Sequence, residues 1–94
     1  MRRKLAAGNW KMNTDLADTQ ELIGGLKKIA KTSDAEVIIA PPFTNLYTAF
    51  ETLKDSDIEV AAQNMHQPSS GAFTGEISAS MLKGVGIKTV ILGH

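Results

Sequence analysis

The chain has 94 residues, enough for one small domain or for part of a larger one. Its ten basic and ten acidic residues cancel, so no net charge favours binding to nucleic acid or to an anionic membrane surface. The absence of cysteine excludes disulfides and thiolate chemistry, and no apolar run approaches the ~20 residues of a membrane span. A soluble, cytoplasmic protein is the default expectation.

Four short apolar runs are separated by segments long enough to form helices. The runs are residues 5–8, 37–40, 60–62 and 89–92. Such alternation indicates a parallel α/β sheet in the order βαβαβαβ, whose functional residues follow the carboxyl ends of the strands. Right-handed crossovers place the helices on one side of a sheet that curls into a barrel, or on both sides of a doubly wound sheet. The pattern alone leaves both architectures open.

The first helical segment, residues 15–31, repeats apolar or small residues at steps of three and four. This spacing forms a stripe that one helical face can bury. The stripe consists of Thr19, Leu22, Ile23, Leu26, Ile29 and Ala30. Thr14 or Asp15 is expected to cap the helix, because either side chain can accept a hydrogen bond from a free backbone N–H.

The second helix is expected to begin after Pro42, with Thr44 or Asn45 as its cap. Its predicted buried stripe consists of Leu46, Ala49, Phe50 and Leu53. The stripe of the third helix consists of Ile77, Met81, Leu82 and Val85. Gly86 is the expected left-handed stop after it, because glycine adopts a positive φ without steric cost.

The loop between Asn64 and Glu76 is much longer than the usual ~2–6 residues of a βα connection. It is rich in Pro, Ser and Gly residues, which favour turns. Long ordered loops in compact domains tend to be functional. A functional role is therefore expected for this segment.

Three polar residues near strand ends could carry chemistry. Lys11 can neutralise a phosphate or a carboxylate, and Asn9 beside it can form a directional hydrogen bond. His94 could be an acid, a base, a metal ligand or a neutral hydrogen-bond donor. Taken singly, each is more often a solvated or structural residue. A metal site is disfavoured because the one other histidine is His66 and no ligand spacing is present.

Five motifs, in order and at similar spacing, resemble the landmarks of the triosephosphate isomerase family. They are Ala7-Gly8-Asn9-Trp10-Lys11-Met12-Asn13, Ala40-Pro41-Pro42, Val60-Ala61-Ala62-Gln63-Asn64, Gly71-Ala72-Phe73-Thr74-Gly75-Glu76-Ile77-Ser78 and Val90-Ile91-Leu92-Gly93-His94. The resemblance covers the whole chain and implies a (β/α)8 TIM barrel. Residues 1–94 would be the N-terminal part of that single domain and supply its first three βα units plus strand 4.

The resemblance implies an isomerase of glycolysis and gluconeogenesis that needs neither cofactor nor metal. It would interconvert dihydroxyacetone phosphate and D-glyceraldehyde 3-phosphate by proton transfer through an enediolate. In that reaction Asn9 and Lys11 contact the substrate, and Lys11 balances the charge of the phosphate and of the developing enediolate. His94 is the electrophile that polarises the substrate oxygens. A neutral histidine suits this task, because a donor matched to an enediolate shuttles protons better than a strongly acidic imidazolium.

Residues 64–78 resemble the interdigitating dimer loop of the family. The resemblance thus implies a homodimer, with no nucleic acid or membrane partner. Thr74 at the loop tip, next to Phe73, would lie against Asn9 and Lys11 of the partner subunit. Met65 would lie near the base of the loop.

The family continues beyond this histidine with four more βα units, the catalytic glutamate and the phosphate-binding loops. Those features are not among the 94 residues, so this length of chain alone is expected to be inactive. It is interpreted either as the N-terminal part of an isomerase or as a non-catalytic half-barrel fragment or self-assembling module derived from one. A doubly wound binding module is less favoured, because only the βα alternation supports it.

Overall fold

The computed structural model describes residues 5–30 and 35–92 of the chain. Three strands alternate with three helices, and the sequence predicted these six elements together with a fourth strand. The elements are β1 (Leu5–Asn9), α1 (Leu16–Ala30), β2 (Glu36–Ala40), α2 (Leu46–Leu53), β3 (Ile58–Val60) and α3 (Ala79–Gly84). A single 3-10 turn, Phe43–Asn45, leads directly into α2. Within these two ranges, no helix is both long enough and apolar enough to cross a membrane.

The strands form one parallel sheet in the order β1-β2-β3. The predicted fourth strand appears as a single parallel bridge between Ala62 and Val90, so its extent was overpredicted for the residues described. Hydrogen bonds from Ala62 N to Thr89 O and from Ile91 N to Ala62 O, both 2.9 Å, hold that bridge. Neighbours in the sheet therefore follow chain order throughout. A doubly wound sheet would reverse its order at a switch point, so this arrangement favours part of a (β/α)8 barrel.

Strands β2 and β3 bury one face of the sheet beneath the helices, whereas most of β1 is exposed. Ile39, Ile58 and Val60 are each 5% exposed or less and belong to the same hydrophobic core as the helix residues. Side chains alternate along a strand, so Ile38 and Glu59 project from the other face, where they are half-buried. In a closed barrel that second face becomes the interior.

Helix α1 begins as predicted but buries a narrower stripe than predicted. Asp15 caps it, because its Oδ1 accepts a hydrogen bond of 2.9 Å from Asp18 N. Thr19 and Ile23 are buried, whereas Leu22 is 45% exposed, so its assignment to the buried stripe is wrong. Leu22 lies at the edge of the buried face of α1, which is centred on Thr19, and its side chain is therefore in contact with solvent. The predicted burial of residues 29 and 30 falls on side chains outside the described residues.

Helix α2 buries Leu46, Ala49 and Leu53 as predicted, with Phe50 packed partly against the core. The prediction of Thr44 or Asn45 as the cap of this helix is confirmed for the position of Asn45. Asn45 occupies the N-cap position, but its side chain makes no capping hydrogen bond. The amide of Asn45 is used elsewhere, and Thr44 Oγ1 donates to Asn45 Oδ1 at 3.2 Å.

Helix α3 is short and is capped by Ser78, whose Oγ accepts from Met81 N at 3.3 Å. It buries Leu82, and Ile77 and Val85 on either side of it pack partly against the core. Met81 is 56% exposed, so its assignment to the buried stripe is wrong. A helix of six residues makes fewer than two turns and has little room for a second buried position. Gly86 has a φ of 99°, which confirms the predicted left-handed stop.

Replacement of Gly86 tests how tightly the turn after α3 packs against α2. A Cβ at this position would lie 2.3 Å from Phe50 Cζ, and its positive φ disfavours any side chain. We expect Gly86→Ala to lower the free energy of unfolding by about 1–3 kcal/mol in urea denaturation. Gly84→Ala is the matched control, because nothing lies within 4 Å of its Cβ position, and it should retain or raise stability. Equal stability of the two variants would contradict the packing described here.

Candidate functional site

Polar side chains collect at the edge of the sheet where the strands end, which we call the carboxyl edge. Asn9 is the last residue of β1 and lies opposite Ala40, the last residue of β2. Gln63 follows β3 by three residues. The parallel pairing therefore brings the ends of three separate strands together.

The carbonyl of Ala40 joins these three strand ends. It accepts a hydrogen bond of 3.1 Å from Trp10 N, just after β1. It also accepts one of 2.7 Å from Gln63 Nε2, beyond the end of β3. A carbonyl oxygen has two lone pairs, so both bonds can form at once. This single acceptor fixes the relative positions of the segments that carry the candidate site.

Lys11 has its backbone held on both sides. Its N–H donates to Asn9 Oδ1 at 2.9 Å, and its carbonyl accepts from Gln63 Nε2 at 2.9 Å. The φ of Lys11 is 53°, in the left-handed region, which non-glycine residues rarely occupy. Such a conformation costs about 1–3 kcal/mol and persists where neighbouring groups over-determine it. The two hydrogen bonds supply that constraint.

The side chain of Lys11 is exposed, whereas that of Asn9 is half-buried. In the described parts of the chain, no carboxylate oxygen lies within 4.0 Å of the Lys11 ammonium. A cation at a strand end without such an intramolecular partner is suited to bind a phosphate or carboxylate. The structure thus places Asn9 and Lys11 beside each other at the carboxyl edge, and their contact with a substrate stays a prediction.

The loop from β1 to α1 is also held from the side of α2. Thr14 has a φ of 75°, and its carbonyl accepts a hydrogen bond of 3.0 Å from Asn45 Nδ2. The same amide donates to Thr19 Oγ1 at 3.0 Å. Asn45 is 2% exposed and Thr19 fully buried, so the hydrogen bond between these two side chains is shielded from water. The amide group of Asn45 therefore docks the loop and α1 onto the start of α2.

The structure describes some of the residues near the candidate site but not all of the predicted ones. His94 lies outside the described residues, so its proximity to Lys11 stays a prediction. Sequence reasoning assigned no role to Gln63 and only the role of a helix cap to Asn45. The position of Gln63 directly after the third apolar run was the signal that could have identified it. Asn45 offered no such signal, because it resembles an ordinary helix cap.

Residues 64–78 form a protruding loop whose base is closed. His66 N donates to Ile77 O at 2.7 Å, and the two arms meet in a parallel bridge between His66 and Ser78. The ring of Phe73 packs against that of His66, with 4.3 Å between the ring centroids. Phe73 remains 50% exposed, and Thr74 beside it is exposed. Met65 is half-buried and packs against the core of this chain.

Two carboxylates, those of Glu59 and Glu51, have local partners away from Lys11. Glu59 Oε1 accepts a hydrogen bond of 2.5 Å from Thr89 Oγ1. Glu51 accepts from Lys54 Nζ at 3.0 Å just after α2, and this hydrogen bond raises the pKa of Lys54 above its ordinary value. The ranges 5–30 and 35–92 contain no group of three or more His, Asp or Glu side chains arranged to hold a metal ion.

Comparisons with known proteins match the chain along almost its whole length. A family model described as triosephosphate isomerase matches residues 4–94. The triosephosphate isomerases of Flavobacterium psychrophilum, Flavobacterium johnsoniae and Clostridium acetobutylicum are 55%, 54% and 49% identical to this chain. Each alignment covers 100% of this chain and 38% of the relative. The chain therefore spans little more than a third of the length of these relatives.

The amide network at Asn45 can be tested by truncation. Asn45→Ala leaves the Thr14 carbonyl and the Thr19 hydroxyl without the donor that Asn45 supplies. We therefore expect the free energy of unfolding, measured in urea, to fall by about 1–3 kcal/mol. Asn13→Ala removes an exposed hydrogen bond to Trp10 O and should change stability by no more than about 0.5 kcal/mol. Indistinguishable unfolding midpoints for the two variants would show that the buried network contributes nothing.

Proposed function

Because the chain belongs to the triosephosphate isomerase family, we propose that the protein containing residues 1–94 interconverts dihydroxyacetone phosphate and D-glyceraldehyde 3-phosphate. In this proposal residues 1–94 are the N-terminal part of one barrel domain. The protein acts in the cytoplasm, in glycolysis and gluconeogenesis. The observation that carries the proposal is the placement of Asn9 and Lys11 at the carboxyl edge of a chain 55% identical to a named triosephosphate isomerase.

Lys11 is proposed as the cation of the site. The reaction moves a proton between adjacent carbons, and negative charge develops on the substrate oxygens of the enediolate. A fixed ammonium stabilises that charge without having to reorganise during the reaction. The hydrogen bonds at the N–H and carbonyl of Lys11 support this role, because they fix the point from which its side chain extends.

Asn9 is proposed to bind substrate through its side-chain amide. Its Oδ1 is already occupied by the N–H of Lys11. The two N–H donors on Nδ2 would then be available to substrate oxygens. A pairing of one ammonium and one amide donor suits a ligand that carries both a phosphate and a carbonyl oxygen.

His94 is proposed as the neutral electrophile. The parallel bridge between Val90 and Ala62 supports this role, since it places the segment that precedes His94 beside the extension of β3. The family resemblance also implies a glutamate base that is not among these 94 residues. In this proposal Lys11 supplies an ammonium, and Asn9 and His94 supply hydrogen-bond donors. The glutamate that abstracts the proton comes from another part of the barrel.

Residues 64–78 are proposed as a homodimer interface. Phe73 exposes half of its surface at the far end of the loop, and burying an exposed aromatic ring against a partner is favourable. The closed base of the loop supports the proposal, because an ordered protrusion loses less entropy on association. Thr74 would brace the segment of the partner subunit that carries the site, and Met65 would support the loop from its base.

The isomerase proposal is tested by Lys11→Ala in a full-length protein. We define this protein as residues 1–94 continued by the C-terminal part of the Flavobacterium psychrophilum relative. Loss of a preorganised cation should lower kcat/KM by about 100-fold to 1,000-fold, measured in both directions. Lys28→Ala, on the exposed surface of α1, is the matched control and should leave kcat/KM unchanged. An unchanged kcat/KM in Lys11→Ala would show that the lysine is a solvated bystander.

Residues 1–94 expressed alone provide the negative reference for this assay. We expect no turnover from them, because proton transfer requires a base within about 3 Å of the carbon-bound proton. No glutamate matching the base of the family is present among them. Turnover by this segment without the C-terminal part would contradict the assignment of the base.

The interface proposal is tested by Thr74→Arg in the same full-length protein. A bulky cation at the loop tip should weaken the dimer in sedimentation equilibrium and lower kcat/KM together, because one residue would serve both functions. Thr52→Arg on the exposed surface of α2 is the control and should alter neither. A dimer of unchanged affinity in Thr74→Arg would contradict the proposed interface.

A further inference from the structure

We propose that Gln63 is a positioning residue for Lys11, a role that rests on the isomerase function proposed above. Its side-chain Nε2 donates to Lys11 O at 2.9 Å and to Ala40 O at 2.7 Å. A carboxamide NH2 has two N–H donors, so this group can satisfy both carbonyls at once. Gln63 thereby links the loop that carries Lys11 to the end of β2.

The backbone of Lys11 requires such a link. At a φ of 53° it occupies a conformation that an L residue with a side chain disfavours. Without an outside constraint, the peptide would relax toward an ordinary negative φ. That relaxation would turn the carbonyl away and redirect the Cα–Cβ bond, so the ammonium would leave its place. A misplacement of about 1 Å at a substrate-binding group can cost about 100-fold in rate.

Glutamine meets requirements here that related side chains do not. Glutamate has no donor when ionised and would bring its oxygens against two carbonyl oxygens. Asparagine is one methylene shorter than the side chain that spans from Gln63 to both acceptors. Both donors of Gln63 are used by backbone carbonyls, so its amide has no N–H left for a substrate. The influence of these two donors on the reaction is therefore expected to pass through the backbone that they hold at Lys11 and Ala40.

The loop has a second anchor that does not depend on Gln63. Asn45 holds the carbonyl of Thr14 and the hydroxyl of Thr19 from the opposite side. Removing the Gln63 amide therefore releases residues near Lys11 but leaves the junction with α1 docked. The expected consequence is a large change in the geometry of Lys11 and a small change in the stability of the fold.

The experiment uses Gln63→Met in the full-length protein, with Gln20→Met on the exposed surface of α1 as the matched control. Methionine keeps an unbranched side chain of similar length but has no donor. We expect kcat/KM to fall about 10-fold to 100-fold in Gln63→Met, chiefly through kcat, with a melting temperature close to that of Gln20→Met. An unchanged kcat/KM would overturn the proposal. Gln63→Asn provides a second test if the methionine variant fails to fold, and the same loss is expected from it.

A double-mutant cycle separates positioning through Lys11 from an independent effect. In a Lys11→Ala background, Gln63→Met should cause no further loss of kcat/KM, because the group that it positions is gone. A loss that adds in full to that of Lys11→Ala would overturn the proposal.

A structural measurement distinguishes failure of this inference from failure of the isomerase proposal. The three-bond HN–Hα coupling and the 13Cα shift of Lys11 report its φ whether or not the protein turns over substrate. We expect the positive φ of Lys11 to persist in Gln20→Met and to be lost in Gln63→Met. Retention of that φ in Gln63→Met would overturn the positioning role, whereas absent turnover in the unsubstituted protein would overturn only the isomerase proposal.

Discussion

The carbonyl of Ala40 is the constraint on which the candidate site depends. The last carbonyls of parallel strands have no further strand residue to pair with, yet a buried acceptor without a donor is costly. At Ala40 the need is met by a backbone N–H from Trp10 and an amide N–H from Gln63. The solution joins segments that are far apart in the sequence, so the geometry of the carboxyl edge follows from how this one acceptor is satisfied.

A second regularity links the two non-glycine residues with positive φ that the structure describes. The carbonyls of Lys11 and Thr14 each accept a hydrogen bond from a side-chain amide, that of Gln63 and that of Asn45. The unfavourable backbone conformation is thus stabilised by contacts with the second and third βα units. The turn after β1 is therefore a product of tertiary structure, and the local sequence of the turn alone does not explain it.

Much of the fold could be predicted because it follows from local patterns. Apolar runs and helical periodicity identified the strands and helices, and Asp15 and Gly86 marked two boundaries correctly. Periodicity defines the centre of a buried face better than its edges, which is why Leu22 was assigned to the core although it is 45% exposed. Asn45 was placed correctly as the N-cap residue, but the use of its amide in tertiary contacts was not predicted, because a capping side chain and a tertiary donor look alike in sequence.

The candidate site was predictable only in part. Asn9 and Lys11 could be located because strand ends in a parallel sheet share one edge. The role of Gln63 could not, since its hydrogen bond to Lys11 spans 52 positions of the chain and leaves no periodic pattern. His94 lies outside the described residues, so its place in the site still rests on the order of the motifs.

The chemical nature of the groups that hold Lys11 has a consequence for solution behaviour. The side chains of Asn9 and Gln63 are neutral amides with no proton to gain or lose in the physiological range. Their hydrogen bonds are also short-range, so added salt does not screen them as it screens ion pairs between exposed side chains. We therefore expect the backbone conformation of Lys11 to be insensitive to pH and ionic strength. Changes in those conditions would act on charged groups at the surface, while the backbone of Lys11 keeps its conformation.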